Sequence, residues 1–210
     1  MVQKIRYLSH PQVRVDPARH ITDWSLSNLG RRRVNLLANS GALDGTGTVV
    51  SSTETKAIET ARPLAEALDC HLEIRDRMHE NDRSSTGFLP SEEFEAVADR
   101  FFAVPETSVR GWETAVAAQA RIVAEILACL EQYRDDDVLF VGHGAVGTLL
   151  HCHLSGRPID RKYDQGPGGG YFFEFTSLQH RPTTGWRPME DMAAGQIPGG
   201  APATSQRSAT

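Results

Sequence analysis

The chain has 210 residues, 40% of them hydrophobic and 23% charged, enough for one α/β domain with a sizeable core. Its net charge of −5 speaks against nucleic acid as a partner, and no run approaches the ~18 apolar residues that a membrane helix needs. The N-terminal MVQKIRYLSHP lacks a long apolar stretch and a small-residue cleavage site, and Cys70, Cys129 and Cys152 show no CxxC spacing; a cytoplasmic protein with reduced thiols is the expectation.

KIRYLS reads as a first strand and is followed at once by His10 and Pro11. SLSNLGRRRVNLLANSG then has helical spacing through Leu26, Leu29, Val34, Leu36 and Leu37, with Gly41 as a stop. GTGTVVSS is a β-branched strand leading into the helix TETKAIETARPLAEALD, with Ser51 and Glu54 fitting a capping box and Pro63 a point where that helix kinks or breaks. HLEIR is a third strand. Residues 79–113 read as loop, a short helix opened by Ser91, and loop again. The long helix TAVAAQARIVAEILACLEQY carries an apolar stripe, Val116, Val123, Leu127 and Leu130, read as core packing.

DDDVLFVGHG is the most hydrophobic strand and meets a helix at AVGTLLHCHLSG, closed by Gly156. In that helix His151 and His153, at i and i+2, diverge, which argues against a metal pair. GGGYFFEFTS is a final strand. The alternation of strands and helices predicts an α/β fold: a three-layer α/β/α sandwich on a mostly parallel sheet. One domain over 1–178 is expected, followed by a Pro/Gly-rich extension, 179–210, whose end is expected to be disordered. Ligands of such sheets bind beyond the carboxyl ends of the strands. Three strand ends carry polar candidates: Ser9-His10, Ser51-Ser52 and Gly142-His143-Gly144.

In order along the chain, these segments resemble the motifs of the histidine phosphatase superfamily, the phosphoglycerate-mutase-like fold. The family's RHG appears as Ser9-His10-Pro11, with Gln12 where Glu or Gln often follows. Its D-x-x-L-T-x-x-G appears as DWSLSNLG, its S-S-x-x-x-R-A-x-x-T-A as SSTETKAIETA, and its V-S/T-H-G-G-V as VGHGAV. The Glu that follows the third strand matches Glu80. The resemblance covers about residue 4 to about residue 176. It implies a phosphatase in which His10 attacks phosphorus and becomes phosphohistidine. Glu80 protonates the leaving oxygen and water then frees the phosphate, while His143 and two arginines hold the phosphoryl oxygens. The partner implied is a small phosphorylated substrate or a phosphate anion. No metal or organic cofactor is implied, and a homodimer is left open.

The departures fall on the cations. Ser9 stands in place of the first arginine and Lys56 in place of the second, so one charge is lost and the other cannot form a bidentate fork. Removing one aimed donor from a site of this kind costs roughly 10²–10³ in rate. Pro11 removes a backbone N–H as well. Ser9, Lys56, Gln12, Arg14 and Gly144 are the substrate-binding candidates. Arg6, Arg14, Arg83 and His79 are candidate replacements for the lost guanidinium groups, and Asp82, Glu92 and Glu93 are alternatives to Glu80 as the acid. The competing reading is a catalytically degenerate anion-binding or protein-interaction module on the same fold. A mutase, which must retain its phosphoryl group, fits the loss of two guanidiniums less well.

Overall fold

The computed structural model describes residues 2–176 and 181–194. In chain order the elements are β1 (Lys4–Ser9), α1 (Asn28–Ala38), β2 (Thr46–Ser52), α2 (Thr55–Leu68), β3 (His71–Arg75), α3 (Ser91–Ala103), α4 (Ala115–Gln132), β4 (Asp137–Gly142), α5 (Gly144–Leu154), β5 (Tyr171–Thr176), β6 (Arg187–Pro188) and α6 (Glu190–Ala194). They form a six-stranded sheet in the order β3-β2-β4-β1-β5-β6. The pairs β3–β2, β2–β4 and β4–β1 are parallel; β5 and β6 join antiparallel.

The sheet is covered on both sides, as the alternation of elements predicts. Along β4, Val138 and Phe140 pack against α3, α4 and α5, while Leu139 and Val141 pack against α1 and α2. A strand buried on both faces has no polar side to alternate with, which is why β4 is continuously apolar from Val138 to Val141. Among the described residues no helix is long and apolar enough to cross a membrane.

Several local expectations need correction. In α1, Val34 and Leu37 are buried but Leu29 and Leu36 face solvent. In α4, Val123 and Leu130 of the expected stripe are buried, together with Ala115, Ala118, Ile122, Ile126 and Cys129, but Val116 and Leu127 are exposed. Small residues share the inward face with large ones in a close-packed interior, so hydrophobicity alone finds only half of the expected stripe there. α2 continues through Pro63. There is no capping box at its start: Glu54 is itself the N-cap residue, without a side-chain cap bond, and the Ser51 hydroxyl donates to the Ser52 carbonyl.

Part of the segment read as an extension belongs to the domain. β6 pairs with β5, Met189 and Met192 join the core, and Trp186 packs edge-on against Tyr7 and Phe173. The expected disorder of the chain end lies outside the described residues.

Candidate active site

β1 and β4 are parallel neighbours with Ser9 opposite Gly142, so the residues just past their carboxyl ends, His10 and His143, are brought together. Their ring centroids lie 5.3 Å apart, edge to face. The His10 Nδ1 is 2.9 Å from the Pro11 carbonyl oxygen. A carbonyl only accepts, so Nδ1 carries the ring proton and Nε2 keeps its lone pair. Among the described residues Nε2 has no hydrogen-bond partner. Burial, helped by His143 and the Lys56 ammonium, pushes the His10 pKa down to about 3. His143, fully buried, is also pushed down to about 3, chiefly by desolvation, with Glu54 opposing and Lys56, His79 and Arg83 adding. Both imidazoles are therefore neutral at pH 7.

The backbone of His143 is pinned by Tyr7, whose hydroxyl accepts from the His143 N–H at 3.1 Å and donates to the His143 carbonyl at 3.2 Å. Gly142 makes room for it, since a Cβ there would stand 2.3 Å from the Tyr7 oxygen. The His143 ring is set by Ser52, whose Oγ accepts the Glu54 N–H at 3.3 Å and lies 2.8 Å from His143 Nε2. Nε2 also lies 3.5 Å from a Glu54 carboxylate oxygen, and the other ring nitrogen is Nδ1. That Nδ1 is buried without a hydrogen-bond partner among the described residues.

Glu80 reaches the same place from the other side. Its carboxylate accepts from the backbone N–H groups of Ala145 (3.2 Å) and Val146 (3.0 Å) in the first turn of α5 and of Asn81 (3.0 Å). His10, Glu80 and Gly144 line one cavity of about 550 Å³ with Arg83, Phe94, Arg161, Asp164 and Gln165 among its other walls. Gly144 lies close to the Gln165 side chain: a Cβ there would stand 2.3 Å from its amide nitrogen.

The remaining predicted binding residues fare differently. Ser9 is fully buried; its hydroxyl donates to Gln165 Oε1 and accepts the Tyr171 N–H at 3.1 Å, so it anchors the cavity wall. Lys56 is buried too, and its ammonium is committed to the Glu54 carboxylate and the Ile21 carbonyl (2.8 Å). Gln12 accepts from Arg33 at 3.0 Å in a clamp that also holds the Gly169 and Gly170 carbonyls. Arg14 is exposed and does not line the cavity. Arg6 pairs with Glu174 at 3.0 Å, and His79 bonds the Glu80 carbonyl through Nδ1 at 2.7 Å.

Of the four candidate replacements, Arg83 is the cation in the cavity wall. Its guanidinium lies 4.8 Å over the Phe94 ring, and its Nε is buried without a hydrogen-bond partner among the described residues. Burial lowers its pKa from the ordinary arginine value, with Glu80 and Glu54 opposing.

Asp164 is a wall residue missed from sequence. Asp164 accepts from Thr148 Oγ1 at 2.7 Å and from the Gln165 N–H at 2.8 Å, and burial raises its pKa. The glycine run after DQGP was the only signal near it, and glycines alone do not mark an acid. Asp82 and Glu92 do not line the cavity, nor does Glu93, which pairs with Arg110.

The sequence pattern of the histidine phosphatase superfamily (branch 1) matches residues 12–176. That stretch begins two residues past His10, so it does not bear on the Ser-His-Pro segment. No curated protein matches the chain. Solved structures do. Mycobacterial glucosyl-3-phosphoglycerate phosphatase superposes with a TM-score of 0.68 at 21% identity, over 89% of this chain and 97% of that one. Phosphoserine phosphatase from Entamoeba histolytica, solved with 3-phosphoglyceric acid, gives 0.72 at 16% identity, over 90% and 99%. YhfR of Bacillus stearothermophilus gives 0.69 at 18% identity, over 82% and 90%. At these identities the likeness is one of fold.

Proposed function

The chain belongs to the histidine phosphatase superfamily, and we propose that it is a phosphoric monoester hydrolase acting on a small phosphorylated metabolite through a phosphohistidine at His10. One observation carries the reading: the bond from His10 Nδ1–H to the Pro11 carbonyl, which leaves the Nε2 lone pair free in a ring that lines the cavity. Nε2 attacks phosphorus in line, and the P–N bond forms as the P–O bond to the leaving group breaks. Glu80 gives its proton to that oxygen. Water then attacks phosphorus, the P–N bond breaks, and Glu80 takes the proton back. Arg83 and His143 are the donors to the phosphoryl oxygens. Similar solved structures carry phosphatase names, which supports the class of reaction. The cavity of about 550 Å³ suits a metabolite better than a protein substrate. We place the activity in the cytoplasm, in keeping with the unpaired Cys70, Cys129 and Cys152.

One observation favours the alternative of a degenerate anion-binding module: the Lys56 charge is already spent on Glu54. Turnover of p-nitrophenyl phosphate by wild type and His10→Ala, with acid-stable and base-stable adducts compared after quenching, decides between them. The hydrolase reading expects turnover and an acid-labile, base-stable phosphoryl adduct in wild type, and neither in His10→Ala. Equal activity in both proteins would refute it.

A further inference from the structure

We propose that Glu54 is a built-in anion of the phosphoryl pocket, a buried carboxylate that competes with the incoming phosphoryl group for Lys56 and so sets how tightly the site holds phosphate. The inference rests on reading His10 and His143 as a phosphoryl site.

Glu54 and Lys56 are 6% and 5% exposed, two residues apart at the start of α2. One carboxylate oxygen of Glu54 takes the Lys56 ammonium. The other accepts the Glu80 N–H at 2.9 Å and lies 3.5 Å from His143 Nε2. A cation, a backbone N–H and an imidazole are the partners that a phosphoryl oxygen would seek. Here an internal carboxylate holds the first two and lies beside the third. It also lines a chamber of about 120 Å³ with Glu80, Asn81 and Arg83, residues shared with the main cavity. Burial works to raise the Glu54 pKa, but His143, Lys56 and the Glu80 N–H outweigh it and bring it to about 2, so the carboxylate stays charged at pH 7.

The charge balance follows. Lys56 and Glu54 cancel, both imidazoles are neutral, and Arg161 in the wall is paired with Glu95 and Asp99; Arg83 is left as the wall cation without a carboxylate partner among the described residues, facing a wall that also carries Glu80 and Asp164. A pocket so composed holds free phosphate weakly and releases it readily. Replacing Glu54 by glutamine keeps the shape and removes the competing charge. The freed ammonium is then buried without a counter-ion, which costs stability in the empty protein and returns as affinity when an anion arrives.

The experiment measures binding of inorganic phosphate at equilibrium to wild type, Glu54→Gln and the double variant Glu54→Gln/Lys56→Gln, alongside melting in phosphate-free buffer. Glu54→Gln is expected to melt lower than wild type and to bind phosphate about 10- to 100-fold tighter, the worth of one charge-assisted hydrogen bond. The double variant, neutral at both positions as wild type is in sum, is expected to melt near wild type and to bind within about threefold of it. If Glu54→Gln does not fold, the double variant decides alone. A Glu54→Gln protein that binds no tighter than a phosphate-binding wild type overturns the inference, as does a double variant that binds tenfold more weakly. If none of the three proteins binds phosphate, the phosphoryl-site reading falls and takes the inference with it. If all bind as expected but His10→Ala retains turnover, only the catalytic reading fails.

Discussion

Replacing Arg83 by methionine should separate function from stability. In the protein without ligand, the guanidinium makes no ion pair among the described residues; its visible contact is the Phe94 ring at 4.8 Å. Such a contact is worth about 0.5–2 kcal/mol. Against it stands the cost of a buried Nε that finds no acceptor, which methionine removes. The two nearly cancel, so the net change in unfolding free energy should be about 1 kcal/mol or less, a shift of about 2–4 °C in melting temperature for a chain of this size. Catalysis has no such compensation. Loss of a donor aimed at developing phosphoryl charge should lower kcat/KM by about 10²–10³. Arg83→Lys, which keeps the charge but not the fork, should fall between. The assay pairs kcat/KM on p-nitrophenyl phosphate with a melting curve for each variant. A kcat/KM within about threefold of wild type would refute the assignment. So would a fall in melting temperature of more than about 8 °C, which would make Arg83 a structural residue.

Tyr7→Phe leaves the buried His143 N–H without its partner, while the His143 carbonyl keeps the Gly147 N–H at 3.2 Å, and should cost about 1–3 kcal/mol, read as an earlier urea midpoint at unchanged slope. Gly142→Ala forces a Cβ to 2.3 Å from the same hydroxyl and should destabilise wild type more than it destabilises Tyr7→Phe, a coupling visible in a double-mutant cycle. Ser9→Arg should not restore the missing guanidinium: Ser9 is fully buried between Gln165 and Tyr171, so the protein should melt lower with no gain in kcat/KM. The pH dependence of stability follows from His10 and His143. Their folded pKa values of about 3 lie below the 6.5 of the unfolded chain, so between these limits the unfolded state binds more protons and stability rises with pH. Urea midpoints should therefore fall from pH 7 to pH 4, at up to about 2.7 kcal/mol per pH unit for two groups, and the His10→Asn/His143→Asn double variant should show a flatter profile.

The sheet and the meeting of His10 with His143 were legible because strand period and strand-end position are local signals whose combination fixes the edge where side chains converge. The direction of a side chain in a crowded interior is not local. Lys56 reads as a cation available to substrate until Glu54, two residues away, turns out to hold it. Glu54 looks like a cap because its spacing from Ser51 suits one, and nothing in the linear order announces that the Glu80 N–H and His143 will draw its carboxylate elsewhere. Asp164 acquires its raised pKa chiefly from burial, with the nearby Glu80 charge adding, both properties of the finished cavity. Trp186 was assigned to an extension because the Pro/Gly-rich composition around it hides one aromatic that packs on Tyr7.

Tyr7 and the His143 backbone it pins are 136 residues apart in the sequence. β1 therefore emerges from the ribosome long before either of its neighbours in the sheet, β4 and β5, has been made. Until then Ile5, Tyr7 and Leu8, all buried in the finished domain, lie on a strand with two unpaired edges, the kind of segment that seeks partners in other chains. A topology dominated by such distant pairings closes slowly. The same long-range pairing that sets the His10 and His143 rings edge to face thus leaves the first strand unpaired through most of synthesis, and a chain stalled before β4 has no place to bury it.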